Sequence, residues 1–192
     1  KANEISITFD TNGAISGDAL PQGRTCSYDG TCTAAAQGTM LKKDHVFMGW
    51  AKSATANTAE YKEGDSIKNI TTGEPITLYA VWSPCPVAVA GNGVKSATLN
   101  GVVGNVCKYT HVCDTGYYNE NHNAQINNAT MSCAACTNLP ANAEWTGAAT
   151  TNTCAWDCKA CVAGDNAVSC AVAKGANTCT YTGTCKENTF KP

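Results

Sequence analysis

No stretch of this chain has the roughly 18–20 consecutive apolar residues that a helix needs to cross a bilayer, so no membrane insertion is expected of its 192 residues. Charge is also scarce. Asp, Glu, Lys and Arg together make up 15% of the chain, against roughly 25% in an average domain. The net charge is −2 and the longest basic run is Lys42-Lys43. That argues against nucleic acid as a partner, because phosphate binding needs a basic face. Catalytic signatures are missing: there is no G-x-S-x-G, P-loop or H-E-x-x-H motif. The histidines are His45, His111 and His122 and no others. His111 and Cys113 are two residues apart, on one side of an extended strand, but a cysteine held in a disulfide is no nucleophile. Glu60, Glu63 and Asp65 fall in turn sequence and read as solvated charge. No enzyme activity, no cofactor and no metal is therefore expected.

The second half lacks the side chains that build a core. From Cys85 onward the only large aliphatic or phenyl residues beyond valine are Leu99, Leu139, Ile126 and Phe190. Eleven cysteines stand there instead: Cys85, Cys107, Cys113, Cys133, Cys136, Cys154, Cys158, Cys161, Cys170, Cys179 and Cys185. A segment without a core needs covalent staples, and disulfides are the usual ones. The whole chain has 13 cysteines, a load that belongs to oxidising compartments. An extracellular or cell-surface location follows. Two CxxC pairs, Cys133/Cys136 and Cys158/Cys161, are separated by 21 residues. A zinc ribbon prefers a shorter gap and needs reduced thiolates, and it would leave the other cysteines of the segment unexplained. Neither CxxC follows a strand and opens a helix, as a redox motif would.

Ser83-Pro84-Cys85-Pro86 marks the boundary, where two prolines stop a strand and composition changes. Two domains are expected, residues 1–83 and 84–192. In the first, Ile5, Ile7 and Phe9 alternate with Ser6 and Thr8, which predicts a half-buried strand. Asp10-Thr-Asn-Gly13 has turn chemistry. Phe47 and Trp50 flank a glycine that allows close backbone approach, and 51–58 is small and polar, a loop. Glu60-Tyr61 reads as a short strand. Ile76, Leu78, Ala80 and Trp82 share one face of a closing strand. Arg24 to Thr33 reads as a hairpin. A three-residue loop, Tyr28 to Gly30, places Cys26 opposite Cys32 and asks Gly30 for a left-handed conformation, which predicts a Cys26–Cys32 disulfide.

Ile7-Thr-Phe-Asp-Thr-Asn-Gly13, Phe47-Met-Gly-Trp50, Tyr61…Gly64-Asp65…Ile67 and Leu78-Tyr-Ala-Val-Trp82, in that order over residues 3–82, resemble the internalin-type B-repeat, also called the Listeria–Bacteroides repeat. The resemblance implies a small β-grasp-like fold, a bacterial surface protein and a stalk-module role in adhesins. It carries no catalytic residue. The Cys26/Cys32 pair departs from most members.

In the second half, Cys113-Asp-Thr-Gly-Tyr-Tyr118, Cys133-Ala-Ala-Cys136 and Cys158-Lys-Ala-Cys161 are similar to extracellular Cys-rich repeats of the tumour-necrosis-factor-receptor and ephrin-receptor type over residues 85–185. That resemblance implies an elongated ladder of small disulfide loops. Sequential pairing would join Cys85 to Cys107, Cys113 to Cys133 and Cys136 to Cys154, with Cys158 and Cys161 crossing to Cys170 and Cys179. Cys185 would stay unpaired and open a further repeat beyond Pro192. On that reading, and with Lys1 in place of a starting Met, the chain is expected to be processed or an excerpt of a longer protein.

Two functional readings compete. One is a mainly β, non-enzymatic, disulfide-stabilised stalk, spacer or adhesin module whose partners are neighbouring repeats of the same protein, or a structural subunit of a larger surface assembly. The other is a recognition module that binds a host protein or glycan through an aromatic surface of Trp145, Tyr117 and Tyr118. Trp156 lies between Cys154 and Cys158, where stacking on a disulfide suffices to explain it. Asn69-Ile-Thr71 and Asn128-Ala-Thr130 fit the N-glycosylation pattern but are incidental in a bacterial protein.

Overall fold

The computed structural model describes residues 4–15, 20–121, 124–149, 151–160 and 167–185, with the backbone alone for 167–169 and 184–185. His122, Cys161 and the side chain of Cys185 lie outside the described residues. The described chain is mainly β, contains no helix, and is rich in disulfides. It divides into two compact units: Lys1–Val87 with Leu99–Lys108, and Ala88–Thr98 with Tyr109–Pro192.

The first unit is built on a sheet of four strands in the order β2-β1-β6-β4. The strands are β1 (Glu4–Asp10), β2 (Arg24–Ser27), β4 (His45–Ala51) and β6 (Ile76–Pro84). β1 and β6 run parallel in the centre, with Ile7 opposite Ile76 and Phe9 opposite Leu78, and each has an antiparallel outer neighbour. A small separate ladder pairs β3 (Cys32–Thr33) with β5 (Ser66–Ile67). Alternation along β1 sends Ile5 and Ile7 inward and leaves Ser6 and Thr8 outside. They meet Met40, Phe47, Trp50, Ile67, Leu78 and Ala80 in one hydrocarbon core. Trp50 is fully buried, and the Phe47 ring lies edge-on to both Trp50 and Trp82, with ring centroids 5.3 and 5.4 Å away.

The motif residues have specific tasks here. Gly49 sits in a bulge of β4 at φ 127, and a Cβ on it would lie 2.3 Å from the Tyr61 carbonyl oxygen. Only glycine fits that approach. Asn12 adopts a left-handed conformation at φ 50. Its side-chain amide donates to the carbonyls of Ala54 and Ala80, at 2.8 and 2.9 Å, and its backbone NH donates to Asp10 Oδ1 at 2.7 Å. The turn after β1 thereby clamps β6. Tyr61 forms an isolated bridge to Trp50 and no strand with Glu60.

Two expectations need correction. Arg24 to Thr33 is not a hairpin: β2 pairs with β1, and β3 pairs with β5. Cys26 and Cys32 are bridged across the turn Ser27–Gly30, and the left-handed residue is Asp29, at φ 65. Asn69 holds Asp29 there by accepting from its backbone NH and donating to its carboxylate, both at 2.8 Å. Gly30 is needed for space, because a Cβ would meet the Ser27 carbonyl oxygen at 2.9 Å. The compact units also do not divide cleanly after residue 83. Leu99–Lys108, the tip of the hairpin formed by β8 (Val94–Val103) and β9 (Val106–Cys113), belongs to the first unit. Two contacts hold it there. The Cys85–Cys107 disulfide is one. The other is Asn105, whose side chain accepts from Phe47 NH at 2.6 Å and donates to the Phe47 carbonyl at 2.8 Å.

The second unit has no sheet larger than two strands among its described residues. β7 (Val89–Ala90) pairs in parallel with β11 (Thr130–Met131), and β10 (Tyr117–Tyr118) pairs antiparallel with β12 (Ala134–Ala135). β13 (Ala143–Trp145) pairs with β14 (Trp156–Cys158), and β15 (Ala167–Lys174) forms a hairpin with β16 (Cys179–Cys185). Pairs this short are marginal alone in water. Its buried apolar side chains are Tyr109, Met131, Ala143, Trp156 and the half-cystines Cys113, Cys133, Cys136 and Cys154. Sulfur bridges thus occupy the place that leucine and isoleucine hold in the first unit.

Candidate functional site

Four disulfides follow one another along the chain. Cys85–Cys107, Cys113–Cys133, Cys136–Cys154 and Cys158–Cys179 span 22, 20, 18 and 21 residues. Cys170, inside the last of these loops, is disulfide-bonded as well, and because Cys158 is joined to Cys179 the expected crossing of Cys158 to Cys170 does not occur. Each loop begins within a few residues of the last one's end. Loops of that size stabilise by about 3 kcal/mol each in the chain-entropy account, and the six-residue Cys26–Cys32 separation by about 2 kcal/mol.

The aromatic residues expected to form a contact surface are packed against the backbone. Trp145, Tyr117 and Tyr118 are all half-buried. The Trp145 ring covers Gly116, whose Cβ would lie 2.4 Å from Trp145 Cδ1, and the Tyr117 ring covers Gly93 with 2.2 Å to Cδ1. Tyr118 OH reaches Glu120 at 3.4 Å. Trp145 faces Trp156 across the β13–β14 pair. Trp156 is buried, and its ring carries Lys174 Nζ 4.5 Å from the centroid. The same ammonium donates to the Trp156 carbonyl and lies 3.7 Å from Asp157 Oδ1.

Spacing alone puts His111 and Cys113 on one side of a strand, and the structure adds Cys133 to them. Tyr109, His111 and Cys113 alternate along β9 and all point inward. The His111 ring nitrogen and the sulfurs of Cys113 and Cys133 lie within 4.8 Å of one another, all buried. Neither nitrogen of His111 has a hydrogen-bond partner among the described residues. The signal was available as period-2 spacing of a histidine with a cysteine, but nothing local said that the histidine faces the interior.

The two sequons are used structurally. The Asn69 side chain is engaged with Asp29, and Asn128 Oδ1 accepts from Thr130 NH at 3.0 Å.

The family model of the Listeria-Bacteroides repeat domain matches residues 6–81. The matched stretch lies within the first unit and includes the Asn12 turn, the Gly49 bulge and most of the core. No curated protein and no solved structure matches the chain. The match to residues 6–81 and the five bridges among the described residues are consistent with an extracellular surface protein.

Proposed function

We propose that this chain is a non-enzymatic segment of a bacterial surface protein, a spacer that holds neighbouring parts of the same protein away from the cell. The observation that supports it most is the run of four consecutive bridges of nearly equal span. Such a run keeps its length under load, because each loop is shorted by a covalent bond. One side of the Trp145 and Tyr117 rings is taken up by glycine, which lends the recognition reading no support.

Force spectroscopy on the full chain, oxidised and reduced, tests the proposal. Opening the four loops releases on the order of 250 Å of additional contour, taking a few ångströms per residue. A spacer shows that extra extension only after reduction and binds no glycan or host protein in parallel screens. An oxidised chain that extends as far as the reduced one, or a saturable glycan contact, would sink the spacer reading.

A further inference from the structure

The buried His111 beside the Cys113–Cys133 bridge is unaccounted for by a spacer role. His111 is only 4% exposed, yet both ring nitrogens lack a partner among the described residues. Such a group in a folded protein calls for a water, an ion or a chemical task. Its surroundings select among these. A ring nitrogen and two sulfurs converge within 4.8 Å, from one strand and the loop bridged to it.

We infer that His111, Cys113 and Cys133 form a metal site whenever the bridge between the two cysteines is open. Two thiolates and one imidazole suit a borderline divalent cation of the zinc class and leave a fourth coordination position free. This set differs from the one that sequence spacing suggests, because Cys136 is committed to Cys154.

The chemistry balances simply. In the dithiol form the cation displaces two thiol protons and binds both sulfurs and the imidazole. Starting from the disulfide, an external dithiol must first act. Its thiolate attacks one sulfur, the Cys113–Cys133 bond breaks, and two electrons pass to the protein as the reductant leaves as a cyclic disulfide. Metal and disulfide forms therefore exclude each other. The cation would occupy the chain before oxidation, or after a reductant has opened this loop.

The test uses cobalt(II) and zinc(II) with the full chain. In the Cys133→His variant this bridge cannot form while the others stay oxidised. Cobalt should then give a thiolate charge-transfer band that zinc abolishes, whereas oxidised wild type gives none. Adding His111→Ala should weaken cobalt binding by ~10-fold or more, the scale of lost ligands and their supports. Because the Cys133→His variant could misfold, a second measurement uses wild type under graded reduction with alkylation mapping. Zinc should protect Cys113 and Cys133 in wild type and lose that protection in His111→Ala. Absence of any zinc protection at Cys113 overturns the inference, as does equal protection with and without His111, or protection confined to Cys133 and Cys136.

Discussion

The two units solve the same problem with different materials. The first buries Ile5, Ile7, Met40, Phe47, Trp50, Ile67 and Leu78 around a four-stranded sheet, and its bridges lie beside a core that hydrocarbon already builds. The second has pairs of short strands and a core in which half-cystines rank with Tyr109 and Met131. Hydrophobic burial is a property of many contacts and survives the loss of one. Cross-links are few, each is worth a sizeable part of the stability, and all share one chemical weakness.

Reduction should separate the units most sharply. Three of the second unit's bridges alone, at about 3 kcal/mol each, sum to the order of a domain's whole stability of roughly 5–15 kcal/mol. Hydrogen exchange after reduction and alkylation should show protection lost around Tyr109 and Trp156 and kept in β1 and β6. Retained protection in both would break the comparison. Trp50→Ala should do the reverse. It removes the largest buried side chain and its 2.8 Å hydrogen bond to the Ala35 carbonyl, at a cost of about 3–5 kcal/mol read as a lower urea midpoint for the first unit. Gly49→Ala follows at about 2–4 kcal/mol, combining a left-handed conformation with the clash at Tyr61; thermal unfolding measures it. Cys26→Ser with Cys32→Ser should cost about 2 kcal/mol, leaving the first unit folded at room temperature. Lys174→Ala, which removes one exposed ion pair, one ring contact and the bond to the Trp156 carbonyl, should change the second unit by about 1–2 kcal/mol. A loss of several kcal/mol there would mean that charge shares the task of the bridges.

The sequence was legible where apolar residues alternate. Ile5 and Ile7, and Leu78 and Ala80, point inward because a two-residue period leaves them no other face on a one-sided sheet. The region around Cys26 was harder. A disulfide requires its Cα atoms close, here 5.9 Å, and a hairpin is only one way to bring them there. The ladder partners of β2 and β3 are distant in sequence, so local turn chemistry could not name them. Gly104 and Asn105, at φ 56 and 57, make a hairpin turn that the reading of the sequence did not pick out. That its tip returns to Phe47 depends on a long-range contact that no local pattern encodes. That the Trp145 and Tyr117 rings lie over glycines 116 and 93 was not legible, because a glycine is silent about which ring will cover it.

The grip of Asn105 on Phe47 has a consequence for crowding. Along the outer margin of β4, His45 NH bonds to Lys42, Phe47 NH to Asn105 and Trp50 NH to Tyr61. That margin has no vacancy at these positions for a strand from another molecule, and β2 is the sheet's other rim. Polymerising sheet upon sheet requires two sticky rims per molecule. With one of them plugged by a side-chain amide posing as a peptide bond, accidental association through this sheet can stop at a pair. Many copies can then stand shoulder to shoulder without knitting into a fibre.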